Sequence, residues 1–251
     1  MLSSAIIAGV ELFAAVSLSL VGSGSGVLVA SSLLLLSNHT RLQLVPGLIS
    51  YAVGTLLAVS LLGLVPQALE SLQAPRVFGA LLAGILGFFM LEKLVIWRHC
   101  HTSDCTAHDG SAPIVLLGGS LHNFADGAIV GAAALTSLPL GVNTALAVAA
   151  HQIPQEVSDY AILLNAGYSR TRALVINALS ASTCMAGALT VYATSGVAPI
   201  ALPYVLAFAA GSFLYVAMSD LIPGLHRDTV DVGAIRQMIL IVAGIGTIIV
   251  L

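Results

Sequence analysis

Apolar residues run along this chain in blocks of about twenty or more, broken by short polar stretches, a spacing that predicts helices long enough to cross a bilayer. Eight such blocks are read at residues 5–36, 44–69, 76–98, 113–135, 141–166, 172–195, 200–224 and 234–251. The first is over-long and holds Gly22, Gly24 and Gly26, so a kink or strong tilt is expected there. Pro75 falls before the third block, Pro113 opens the fourth and Pro199 precedes the seventh, which suits a residue tolerated at helix starts. Connections are short except for a polar stretch at 99–112, and no composition shift divides the chain. The fold expected is therefore all-α: one polytopic integral membrane domain, residues 1–251, with eight transmembrane helices.

Composition strengthens that picture. Of 251 residues, 58% are hydrophobic and 8% charged, with a mean hydropathy of +1.04, whereas soluble domains carry about 25% charged residues. A net charge of −3 argues against a nucleic-acid partner. Positive charge sets orientation: Arg41, Lys93, Arg98, Arg170, Arg172, Arg227 and Arg236 fall at the odd-numbered loops, and Arg76 on the other side. Positive residues favour the cytoplasmic side, so both termini are expected outside. The first residues lack the basic region of a signal peptide, and the first block is read as a retained helix. A multi-pass protein of the plasma or inner membrane is expected. Of three cysteines, Cys184 lies in an apolar block and reads as packing; Cys100 and Cys105 share the 99–112 loop.

Two polar runs interrupt the apolar pattern near the middle of the fourth and fifth blocks: 122–127 (HNFADG) and 151–156 (HQIPQE). Ionisable side chains at that depth are costly and mark ion or substrate pathways. The fourth helix is expected to run outward and the fifth inward, so the runs can meet at the midplane. His122 and Asp126 are four residues apart and share a helix face, with Asn123 one step round. His151 and Gln155 repeat that spacing, and Gln152 and Glu156 form a second pair on the adjacent stripe. Imidazole with carboxylate suits zinc and other divalent first-row metals, although spacing alone leaves a proton path open, and interhelical hydrogen bonding is the plain alternative. Pro154 frees a backbone carbonyl, which suits a helix lining a cavity.

A second cluster, His99, Cys100, His101, Cys105 and His108, lies in the expected cytoplasmic loop. Its spacing matches no structural zinc finger, leaving weak metal binding and a merely polar loop both open. Asn177 in the sixth helix can face the site or join helices. Asp220 and Glu92 sit near cytoplasmic helix ends, and Asp159 continues the fifth-helix face towards the cytosol.

The paired runs resemble the signature of the ZIP family of zinc and iron uptake transporters. The resemblance continues at 50–57 (SYAVGTLL), 89–93 (FMLEK), 159–165 (DYAILLN) and 209–217 (AAGSFLYVA), and a His-rich loop between helices three and four belongs to the same pattern. It implies uptake of a divalent metal into the cytoplasm by an elevator-like motion of helix bundles. It also implies that His122, Asp126, His151 and Gln155 form the main transport site, that Asn123 and position 152 belong to an adjacent second site, that Asn177 contributes from helix six, and that Asp220 is an acidic position on the release side. The chain departs from the pattern at Gln152, where an acid is usual, at Gly63 and Gln67, often His, and at Gly224, often Glu; these losses favour one metal over two. Zinc is the expected substrate, with Fe²⁺, Mn²⁺ and Cd²⁺ as alternatives, and no cofactor is expected. The partners are the bilayer and the ion, with monomer and homodimer both open. The rival readings are a metal sensor or receptor, a haem-binding membrane protein, and an intramembrane metalloprotease. The last needs a glutamate general base, and Gln152 stands in its place.

Overall fold

The computed structural model describes residues 2–33, 36–97, 111–165, 167–195, 199–225 and 232–250. Every regular element among them is helical. α1 is Leu2–Leu33. α2 runs as Asn38–Ala58, a π-helical turn at Val59–Leu64, and Val65–Leu69. α3 is Ala74–Trp97, α4 Ser111–Thr136, α5 Leu138–Asn165 and α6 Arg170–Ser195. α7 opens with a 3₁₀ turn at Pro199–Ala201, continues as Leu202–Tyr215, a π-helical turn at Val216–Leu221, and Ile222–Leu225; α8 is Val232–Val250.

Each expected block has become a helix, with boundaries set by polar capping that hydropathy does not register. α2 begins at Asn38 because the Ser37 hydroxyl accepts from the Thr40 N–H at 3.2 Å. Between α4 and α5 only Ser137 is non-helical, and its hydroxyl accepts from the Leu140 N–H at 3.3 Å. That tight joint makes the two site-bearing helices one hairpin. α1 is an unbroken helix through its glycines. Two of them serve contact with α5: a Cβ at Gly22 would lie 3.2 Å from the Ala145 carbonyl oxygen, and one at Gly26 would lie 3.1 Å from the Gln152 Cβ.

Among the described residues, six segments are long and apolar enough to cross a membrane: Phe13–Ser32, Gln43–Leu69, Ala74–Leu91, Arg170–Thr194, Leu202–Ser219 and Gly233–Val250. α4 and α5, at 26 and 28 residues, also have the length to cross a bilayer.

The helices pack as two sets. α1, α4, α5 and α6 lie against one another, and so do α2, α3, α7 and α8; the sets meet where α2 faces α5, α7 faces α4 and α3 faces α4. Close crossings inside each set rest on small residues that let backbones touch. In α4 and α6, a Cβ at Gly127 would clash with the Cys184 carbonyl, and one at Gly187 with the Phe124 carbonyl. The same reciprocal lock joins α3 to α7 through Gly84 and Gly211, and α2 to α8 through Gly54 and Gly244.

α2 and α7 repeat one motif. Gly54, Leu57, Val59, Leu64 and Pro66 recur in the same register as Gly211, Leu214, Val216, Leu221 and Pro223. Both π-turns begin at the valine and end at the leucine. The proline explains them. It has no N–H to give the carbonyl four residues back, and its ring crowds that carbonyl; widening the preceding turn relieves the crowding. Val65 N–H accordingly reaches back five residues to Ser60, and Ile222 N–H to Ala217.

Candidate metal centre

On α4, one helical turn places His122 and Asp126 on the same face, Nε2 to Oδ2 3.4 Å. α5 brings His151 to both: its Nε2 lies 3.1 Å from Asp126 Oδ2 and 3.3 Å from His122 Nε2. One ligand atom from each residue fits within a 4.8 Å span. Asp126 and His151 are buried and His122 nearly so.

The ring orientation of His151 has a definite cause. Its Nδ1 lies 3.0 Å from the Ala147 carbonyl oxygen one turn back. A carbonyl only accepts, so Nδ1 holds the proton and Nε2 turns a lone pair to the centre, the arrangement by which outer partners orient a metal-binding imidazole. The His151 lone pair then confronts a carboxylate oxygen and a second imidazole nitrogen at 3.1–3.3 Å. What suits the space among them is a cation, either a proton or a metal. Two aromatic rings from the other helix set close the centre edge-on: Phe88 of α3 at 5.5 Å from the His122 ring and Phe213 of α7 at 5.8 Å from the His151 ring.

Beside the triad, Gln152 turns its amide to α4. Its Nε2 donates to Asn123 Oδ1 at 2.6 Å and to Asp126 Oδ2 at 3.1 Å. Asn123 donates in turn to the Ser180 hydroxyl at 3.4 Å, which also accepts from Ser120 at 3.1 Å, so α6 is tied to the same network. Asn177 donates to the Glu156 main-chain oxygen at 3.3 Å. Two buried oxygens here, Asp126 Oδ1 and Gln152 Oε1, have no hydrogen-bond partner, and one step further along Glu156 Oε2 and Asn177 Oδ1 have none either. All are acceptors. Buried acceptors without donors are costly, and a cation is the species that relieves a concentration of them.

Of the residues singled out in the sequence, the structure brings His122, Asn123, Asp126, His151 and Gln152 together. Gln155 stands one turn beyond His151 and is half-buried, Glu156 and Asn177 are buried one step further along, and Asp220 falls in the π-turn of α7. The side chains of Asp220 and Glu92, and the loop residues His99, Cys100, His101, Cys105 and His108, lie outside the described residues. Gln67 donates to Glu70 at 2.6 Å on the exposed end of α2. Cys184 is a buried free thiol donating to the Ser19 carbonyl at 3.3 Å, a packing role as expected. Sequence reasoning passed over Phe88, Phe213, the Ala147 carbonyl and Ser180. Ser180 alone left a signal, one turn after Asn177.

The family model described as ZIP Zinc transporter matches residues 96–251. Zinc transporter ZIP13 of Pongo abelii is 33% identical over 214 residues, covering 79% of this chain and 64% of that protein. Zinc transporter ZIP4 of Mus musculus is 46% identical over 112 residues, 45% of this chain and 17% of that protein. Zinc transporter ZIP10 of Homo sapiens is 38% identical over 145 residues, 53% of this chain and 17% of that protein. The chain thus spans less than two thirds of each of these relatives.

Proposed function

This chain belongs to the ZIP zinc transporter family, and on that premise we propose that it carries a divalent cation, zinc foremost, across a membrane through the His122–Asp126–His151 centre. The observation that carries the reading is three donor atoms within 4.8 Å, two of nitrogen and one of oxygen, a donor set that suits zinc and its first-row neighbours. Gln155 and water complete the coordination as the ion sheds its hydration. Fe²⁺, Mn²⁺ and Cd²⁺ are the competing substrates.

The centre takes one ion. Gln152 holds its NH₂ group between Asn123 Oδ1 and Asp126 Oδ2, where a second cation would need those same oxygens. A neutral amide also leaves the centre with the single negative charge of Asp126, too little for two dications side by side.

Both His and the Asp belong to the α4–α5 hairpin, within the set α1, α4, α5 and α6. From the opposite set the Phe88 and Phe213 rings close over the centre. A site owned by one set and merely capped by the other fits alternating access by sliding: the first set carries the ion past an apolar face, as in transporters whose bundles move around a midplane site. All eight helices span the bilayer in this reading, α4 and α5 being shielded from lipid by their neighbours, with both termini outside and uptake directed to the cytoplasm. Asp220 and the His/Cys loop receive the ion there. Proteolysis is disfavoured, since Gln152 cannot accept a proton from water.

Zinc-65 uptake into proteoliposomes tests the proposal. Wild type is expected to give saturable uptake that Asp126→Ala abolishes in a folded protein. Equal uptake by both would overturn the assignment.

A further inference from the structure

Beyond the triad, towards the C-terminal end of α5, lies a second concentration of buried oxygen that the imidazole centre does not use. Glu156 is 1% exposed, and its Oε2 has no hydrogen-bond partner. Asn177 of α6, also 1% exposed, rests its Nδ2 against the Glu156 main-chain oxygen, which holds its amide head at that level with Oδ1 unpartnered. Asp159 follows Glu156 by three residues, on the same side of α5. A Cβ built on Gly119 of α4 would lie 3.1 Å from Asp159 Oδ2 and 3.4 Å from the Ser180 hydroxyl. The carboxylate therefore reaches a notch in α4 that glycine leaves open, facing α6. Among the described residues neither Glu156 nor Asp159 is in an ion pair.

We propose that Glu156, Asp159 and the Asn177 amide oxygen form a second cation site, between α4, α5 and α6, that takes an oxygen-coordinated divalent ion. The buried Glu156 carboxylate and the half-buried Asp159 carboxylate beside it are costly to hold charged without a counter-ion, and the unpartnered Asn177 oxygen offers a third ligand of the same kind. The donor set is all oxygen. It therefore favours harder ions, Mn²⁺ or a partly hydrated zinc, over the tightly held zinc of the imidazole centre. At about 1.5 Å per residue along a helix, Glu156 lies about 8 Å beyond His151 and Asp159 about 12 Å beyond it. An ion leaving the imidazoles meets this site next. The proposal rests on the reading of α4 and α5 as an ion pathway, and it adds a weaker, harder resting place on that pathway.

Mn²⁺ binding followed by electron paramagnetic resonance, on the full chain in lipid nanodiscs, separates the two sites. Three proteins are compared: wild type, Asp126→Ala/His151→Ala, and Glu156→Gln/Asp159→Asn. The first double variant is expected to lose tight zinc while still binding Mn²⁺. The second is expected to keep its tight zinc within about twofold, which also certifies its fold, and to bind one Mn²⁺ fewer than wild type. Should it fail to keep zinc, Asn177→Leu replaces it with the same expectation. Equal Mn²⁺ stoichiometry in wild type and the carboxamide variant would overturn the proposal, as would loss of all Mn²⁺ from Asp126→Ala/His151→Ala. Retention of tight zinc by that last variant would instead overturn the assignment of the imidazole centre.

Discussion

The set α1, α4, α5 and α6 and the set α2, α3, α7 and α8 are built of similarly apolar helices, yet they satisfy their buried polar groups in different ways. In the second set the buried hydroxyls of Ser50, Thr55 and Ser212 each return to a carbonyl of their own helix, at 2.8–2.9 Å. Such bonds make no demand on a neighbour. In the first set Ser19 and Thr144 do the same, but other polar groups reach across helices: Ser23 to the Ala181 carbonyl, Thr183 to the Ser120 carbonyl, Asn123 to Ser180, and Gln152 to Asn123 and Asp126. These cross-links join four helices into one hydrogen-bonded body. Where the sets meet, the contact is largely apolar packing around residues such as Leu64, Val130, Ala147 and Phe213, with the Asn143 amide reaching the Ile248 carbonyl at 3.4 Å. An apolar face can be slid along without stripping polar groups of their partners. The polar network thus lies in the set proposed as the carrier, and is sparse in the set proposed as the frame.

The sharpest way to break this contrast is to remove a ligand from the carrier. Loss of outer-shell partners already weakens metal sites about 10–100-fold, so Asp126→Ala is expected to weaken zinc by at least about 100-fold in equilibrium binding. Next in size is the crossing that holds the carrier together. Gly127→Val forces a side chain onto the Cys184 carbonyl and should cost about 1–3 kcal/mol or more, read as a lowered Tm. The control is Gly24→Val on α1, where a Cβ meets nothing within 4 Å and Tm should hold. Gln152→Glu removes the amide donor between Asn123 and Asp126 and adds a charge. Zinc stoichiometry by elemental analysis should rise by one ion, and an unchanged value would refute the account of Gln152. The smallest effect belongs to the frame: Phe88→Ala deletes one ring contact, worth about 0.5–1.5 kcal/mol, and should change zinc affinity by no more than about tenfold.

Much of this architecture was legible in the sequence, for identifiable reasons. Blocks of apolar residues must satisfy their backbone internally, so each became a helix. His122 and Asp126 met because the helical period puts residues four apart on one face. The meeting with His151 followed from a hairpin between helices of like length. Starts such as Asn38 were not legible, because a serine cap is a local hydrogen bond invisible to hydropathy. The division into two sets was not legible either, since helices apolar on every side carry no stripe that names a partner. The repeated frame at Gly54–Pro66 and Gly211–Pro223 was present in the letters, but only the paired π-turns gave it meaning. The part of Gln152 was half-read: its neutrality was evident, while the direction of its amide towards α4 depended on Gly26 of α1 packing behind it.

That the metal centre travels with α1, α4, α5 and α6 past the other four helices is tested most directly by tethering the sets. Gly63 of α2 faces Leu140 of α5 across the seam, a Cβ there lying 3.1 Å from the Leu140 Cδ1. Tyr51 of α2 and Thr247 of α8 touch within the frame, their hydroxyls 3.1 Å apart. Zinc-65 uptake is measured for Gly63→Cys/Leu140→Cys and for Tyr51→Cys/Thr247→Cys, each with Cys100, Cys105 and Cys184 replaced by alanine, before and after a short thiol cross-linker. The account predicts that cross-linking across the seam stops uptake while cross-linking within the frame leaves it intact. Uptake at the uncross-linked rate through a fully cross-linked seam would contradict it.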